Sequence, residues 1–170
     1  MKVTSLTPVE RLQLRNQFRI LEEMDPHEAK FYAKAKEIFE HGYSLLYDEV
    51  FEILPEEMSI QDCKYVYEVL GMFSTLQHSY DDLVDKQGLT TSDVHFSGFD
   101  GNNEGDQYGF VRFLRDQGIW EAPPLNTKGD LNSHHQTASR YRTMLDRWQH
   151  IPDDQRETLT AAQIKDIIAR

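Results

Sequence analysis

From Ser59 to Lys86 the chain carries apolar side chains at helical spacing without a break, through Cys63, Val66, Tyr67, Val69, Leu70, Met72, Phe73, Leu76, Tyr80, Leu83 and Val84. Projected at the helical repeat, only roughly a third of the circumference is purely polar, the part carrying Gln61, Lys64, Glu68, Thr75, His78 and Ser79. A helix with so wide an apolar arc needs neighbours on several sides, so other helices must pack around it. The expected fold is therefore all-α: a single compact domain, over residues 1–170, of six to seven helices around one long central helix.

The remaining helices are marked by their starts. Thr7-Pro8-Val9-Glu10 sets a hydroxyl at the N-cap, proline at the first helical position and a carboxylate three residues on, a reciprocal capping box. Asp25-Pro26-His27-Glu28 repeats the pattern, which predicts that helix one ends near Met24 and helix two follows at once. Phe31, Tyr32, Ala35, Ile38 and Phe39 share one face of helix two, and Gly42 stands where a left-handed cap closes it. A short third helix carries Leu46, Tyr47, Val50, Phe51 and Leu54. Val94 to Phe99 is short enough to be extended, so the fold has room for a minor β element. A fifth helix runs from about Gly101 to Gln117, a sixth carries Thr137, Tyr141, Met144, Leu145 and Trp148, and the Thr160-Ala161-Ala162-Gln163 box opens a terminal one stapled by Leu159 and Ile164. Between the last two long helices, the irregular stretch Ile119 to Ser133 has the length of a lid or an oligomer arm.

Charge and composition narrow the function. A formal charge of −11 disfavours contact with nucleic acid or an anionic membrane, both of which call for clustered Lys and Arg. No apolar run opens the chain and none approaches a bilayer span, so the expected location is the cytoplasm. One cysteine, Cys63, allows neither an internal disulfide nor a thiolate metal cluster, and its place on the apolar arc suits a buried small hydrophobe. Seven histidines occur without a His-x-His, His-x-x-x-His or Glu-x-x-His spacing, Glu37 and His41 stand four apart on the polar side of helix two, and neither a phosphate-cradling loop nor a nucleophile elbow is present. No catalytic residue, cofactor or metal is assigned.

Chemistry-bearing residues concentrate in Val94-His95-Phe96-Ser97-Gly98-Phe99-Asp100, then Glu104, then Tyr108 to Leu114. Glu104, Tyr108 and Arg112 stand four apart, one column on a helix, with Asp100 near its start. Arg112 is suited to an anionic group, with Asp100 and Glu104 orienting it; equally, Asp100 can be an N-cap and the column a stripe that locks the helix. Asn16 and Gln17 lie within an apolar arc of helix one, so one or both amides are expected to be buried with partners, and Gln77 and Asp81 interrupt the arc of the central helix in the same way. Should Gln77, Asp81 and Asn16 converge with Arg112, they outline a pocket.

Arg11-Leu12 with Asn16-Gln17, Gly42-Tyr43, Gly98-Phe99-Asp100 with Glu104, Gly109 with Val111-Arg112-Phe113, and Trp148 together resemble the YfbU-like family of bacterial proteins, essentially from end to end. The resemblance brings no catalytic residues with it. Some relatives join a similar domain to a helix-turn-helix DNA-binding module, which implies a domain that senses a ligand or partner. The expected function is a non-enzymatic regulatory domain, a homo-oligomer that binds a small molecule or protein near Asp100, Glu104, Tyr108 and Arg112. Its alternatives are a hydrolase or lyase using Asp100 and Glu104 as an acid and base pair, and an oligomer without a ligand.

Overall fold

A computed structural model describes residues 5–52, 56–126 and 129–169. The chain is all-α, with helices α1 Pro8–Met24, α2 Ala29–His41, α3 Tyr47–Phe51, α4 Ile60–Asp82, α5 Gly105–Asp116, α6 Ala138–Gln149, α7 Asp153–Arg156 and α8 Ala161–Ile168, plus a 3₁₀ turn at Ser44–Leu46. They group into two compact units, Met1–Glu57 and Met58–Arg170.

In the first unit the capping box of α1 forms as its sequence demands: the Thr7 side chain accepts from the Glu10 amide, and the Glu10 carboxylate takes the Thr7 amide at 2.7 Å. The second such signal behaves differently. Asp25 accepts from the amide of His27, two residues on, which is a turn bond, and α2 begins only at Ala29. Ala35, Ile38, Phe39, Tyr47 and Val50 form the core of this unit, with Leu14 and Phe18 of α1 packed on it and the Phe18 and Phe39 rings stacked at 5.7 Å. Gly42 adopts φ +70° and returns its N–H to Ile38, closing α2. Lys36 to Glu22 at 2.6 Å and Arg15 to Glu40 at 3.5 Å tie α2 to α1. Because α1 buries only a narrow stripe against α2, no residue of it is fully buried. Asn16 and Gln17 are accordingly exposed, which corrects the expectation that their amides lie inside. Leu54, expected in the third helix, lies outside the described residues.

The second unit is built on α4. Val66, Val69, Leu70, Met72, Phe73 and Leu76 are buried along it, and α5, α6 and α8 all pack against it. Ser59 caps its start, accepting from the Asp62 amide at 3.0 Å. The helix stops at Asp82, two residues before the last apolar position of the pattern, Val84, because Leu83 turns extended and Lys86 folds back onto the carbonyls of Tyr80 and Asp81. Val84 is fully exposed and Cys63 only half-buried, so neither belongs to the core as the sequence pattern suggested. The short α7 has no sequence signal beyond Pro152. The box at Thr160 is formed, and Leu159 and Ile164 are both buried.

Extended structure is limited, among the described residues, to one parallel bridge between Phe99 and Asn132. Nearby, the described part of the stretch after α5 is anchored: Leu125 and Leu131 are buried in the core, the Trp120 indole donates to the Pro123 carbonyl, and Arg115 donates to Gly129.

Candidate functional site

The turn at Gly98 sets the geometry of everything around it. Gly98 takes φ +86°, a conformation that side chains resist, and its backbone lies directly against the Leu131 carbonyl. Phe99 then donates its N–H to Leu131 at 3.1 Å, and Ser133 donates back to Phe99 at 3.1 Å. The Gly98 carbonyl accepts from the Tyr141 hydroxyl at 3.1 Å, and the Thr137 hydroxyl lies at the same distance with its one proton shared between this carbonyl and Glu104. Around it Phe73, Phe96, Phe99 and Tyr141 pack ring on ring with centroids 5.1–5.7 Å apart. Burial pushes the Tyr141 hydroxyl up to about 12, so it remains a neutral donor. Tyr141→Phe removes the buried hydroxyl and its hydrogen bond to Gly98 while keeping the ring, and is expected to cost about 1 kcal/mol in urea unfolding.

Asp100 and Glu104 are brought together here, though not as a helical column. The sequence Asp100-Gly101-Asn102-Asn103 is turn chemistry, and α5 starts only after it, at Gly105. Asp100, 2% exposed, accepts from the Asn102 amide at 3.1 Å and from the Asn103 side chain. The Asn103 amide, then the Asn102 N–H, hold its carboxyl below the ordinary carboxylate range. Glu104 is the residue before α5 and its side chain turns inward, 8% exposed. One oxygen accepts from the amides of Thr137 at 2.8 Å and Ala138 at 2.7 Å. The other accepts from the Asp100 amide at 2.9 Å and the Thr137 hydroxyl at 2.9 Å. Burial alone would raise this carboxyl, but the bonds from Ala138, Asp100 and Thr137 together outweigh it and hold the group low.

Glu104 therefore does for α6 what Thr137 does not, since Thr137 makes no side-chain cap of its own. A carboxylate aimed at free amides of a helix N-terminus is favoured by the helix dipole as well as by the bonds. With both oxygens doubly occupied, Glu104 has no acceptor position left for a substrate proton. Asn132 completes the polar frame, its side-chain oxygen accepting from Gly101 at 3.1 Å and His134 at 3.0 Å.

The other candidates stand apart from that frame. Arg112 is exposed and lies over the Tyr108 ring at 5.6 Å, with no hydrogen bond to Asp100 or Glu104. Tyr108 is half-buried, beside Gly101. Gln77 donates to the Val94 carbonyl at 3.3 Å, and Asp81 is exposed at the end of α4 instead of interrupting a buried arc. Asn16 belongs to the first unit, where its side-chain oxygen accepts from Arg15 at 2.8 Å.

A shallow groove between α4 and α6, of about 260 Å³, was not legible in the sequence. Tyr65, Glu68, Arg142, Leu145, Asp146 and Gln149 line it, with the Arg142 guanidinium 5.0 Å from the Tyr65 ring centre and the Tyr65 hydroxyl donating to Ala138. These residues stand four apart on the two helices in part, but nothing in either helix alone says which faces meet. Among the described residues no three His, Cys, Asp or Glu side chains gather where they could hold a metal ion, and no helix is long and apolar enough to cross a membrane.

The chain matches the YfbU domain over residues 4–169. It is also similar to a UPF0304 protein of Mannheimia succiniciproducens, with 31% identity over 161 residues that cover 93% of this chain and 96% of that protein. The Gly98-Phe99-Asp100 turn, Glu104 and the helices they join lie well inside both matches, and the chain belongs to the YfbU family.

Proposed function

We propose that this protein is a non-enzymatic regulatory domain that assembles with copies of itself and binds an anionic small molecule or an anionic group of a partner protein through Arg112. One observation carries the reading: of the two carboxylates best placed for acid and base work, Glu104 accepts on both oxygens from backbone amides and the Thr137 hydroxyl and Asp100 accepts from the Asn102 N–H and the Asn103 side chain, while Arg112 is exposed and meets no carboxylate among the described residues. An arginine stacked on an aromatic ring keeps its outer N–H groups free for a carboxylate or phosphate. In a chain of −11, a surface arginine with no carboxylate beside it among the described residues is also a place where an anion meets less repulsion than elsewhere. The hydrolase or lyase alternative needs a free proton acceptor at Asp100 or Glu104, and the same bonds weigh against it.

Native mass spectrometry of the gently purified protein tests this. An adduct mass is expected on the wild type and absent from Arg112→Ala, with the unfolding free energy of that variant changed by no more than about 0.5 kcal/mol, because the side chain is exposed. An adduct that survives Arg112→Ala and disappears in Arg142→Ala moves the site to the groove between α4 and α6. Turnover of any substrate that depends on Glu104 in a folded variant ends the non-enzymatic reading.

A further inference from the structure

The outer face of α1 is apolar and uncovered. Val9, Leu12, Ile20 and Met24 are 64%, 55%, 59% and 74% exposed, and helical stepping puts all four on one stripe with Gln13, Asn16 and Glu23, opposite the Leu14 and Phe18 side that packs on α2. Side chains of this size, each more than half exposed, present on the order of 400 Å² of apolar surface, the scale at which patches on soluble proteins are usually functional. It is about half of the roughly 800 Å² that each partner contributes to a standard interface, and the polar members of the same stripe enlarge it.

We infer that a second copy of this chain covers the stripe, the two α1 helices pairing antiparallel about a two-fold axis at Asn16. The inference deepens the self-assembly part of the reading above and rests on it. Asn16 is the central residue of α1, so in such a pair Leu12 of each copy falls opposite Ile20 of the other and Asn16 falls opposite Asn16. An amide is both donor and acceptor and so complements itself; the Asn16 oxygen already accepts from Arg15, and its NH₂ remains to be given. A single polar residue in an otherwise apolar helix seam fixes register and partner orientation. Charge points the same way. The chain as a whole is strongly acidic, yet the stripe carries a single charge, Glu23, which the two-fold at Asn16 sets opposite Val9 of the other copy and not opposite itself, so two copies meet there with little repulsion.

Sedimentation velocity of the full chain over a micromolar concentration series tests the interface. A dimer is expected for the wild type, and Ile20→Glu is expected to weaken it on the order of 100-fold with unchanged far-ultraviolet dichroism, because it sets a carboxylate into each half of the seam. Mild oxidation of Asn16→Cys in a Cys63→Ser background gives a second readout that does not depend on a destabilising change: the two-fold places the two thiols together, so a covalent dimer forms. A wild type that stays monomeric overturns both this interface and the self-assembly reading. An oligomer that ignores Ile20→Glu and fails to cross-link at Asn16→Cys overturns the α1 interface and leaves self-assembly standing on another surface.

Discussion

Gly98→Ala is expected to destabilise the second unit by more than about 4 kcal/mol, enough to leave much of it unfolded at ordinary temperature. The left-handed φ of +86° accounts for only about 1–2 kcal/mol of that. The larger part is steric: a Cβ at this position runs into the Leu131 carbonyl, a backbone atom that cannot swing aside as a side chain can. Leu131 is held where it is by the Phe99 N–H, and Ser133, two residues on, donates to Phe99 in turn, so any retreat breaks the bridge. Gly98 cannot retreat instead without pulling its carbonyl from Thr137 and Tyr141. Both tryptophans, Trp120 and Trp148, belong to the second unit, so the urea transition followed by indole fluorescence reports the loss directly. Gly109→Ala is the control. A Cβ there meets nothing within 4 Å and α5 is helical at that residue, so stability should hold or rise by about 0.5–1 kcal/mol. Equal midpoints for Gly98→Ala and the wild type would show that the 98–99 and 131–133 segments do not depend on each other.

What was legible in the sequence is what depends on neighbours in the chain. The boxes at Thr7 and Thr160 are closed within four residues, and both form as written. The breadth of the apolar arc on α4 was enough to place it at the centre of packing, since a helix with that arc has no other way to bury it. Asn16 and Gln17 were misplaced because an apolar arc says that a helix face can be buried, not that a neighbour exists to bury it. α1 has one close partner in its unit, and the rest of its arc is left outside. The turn at Gly98 needed Leu131, more than thirty residues away, to explain why only glycine fits.

The candidate site was half legible for the same reason. Spacing put Glu104, Tyr108 and Arg112 in one column, but a column exists only where the helix does, and Asp100 to Asn103 form a turn that delays α5 to Gly105. The run Asp-Gly-Asn-Asn was the available signal, because these residues favour turns over a helical first turn. What no local pattern could show is the destination of the Glu104 side chain, the start of a helix thirty-three residues further on. Arg112 keeps its expected place on the helix surface beside Tyr108 but makes no bond to Asp100 or Glu104.

Glu104→Gln is expected to cost about 3–5 kcal/mol at neutral pH, although it changes one oxygen to nitrogen in a residue of the same size. The carboxylate accepts four bonds, from the amides of Thr137, Ala138 and Asp100 and from the Thr137 hydroxyl. An amide offers one acceptor oxygen and presents a donor where the other stood, so at least one buried backbone N–H is left facing another N–H. The variant also removes the charge that complements the α6 dipole. The pH dependence separates this from simple loss of packing. The folded carboxyl lies below its unfolded value of about 4.3, because the bonds from Ala138, Asp100 and Thr137 outweigh the effect of burial. Between those two values the unfolded chain binds the extra proton, so stability rises with pH. The contribution is fully present above the unfolded value and disappears as pH falls through the folded one. Wild-type urea midpoints should therefore drop below about pH 4. Glu104→Gln should start lower and fall less steeply over the same interval, keeping only the slope due to groups such as Asp100 and Asp93, which are also held low by hydrogen bonds. Parallel curves for the two proteins would mean that the Glu104 carboxylate is not what fastens the Asp100 turn to α6.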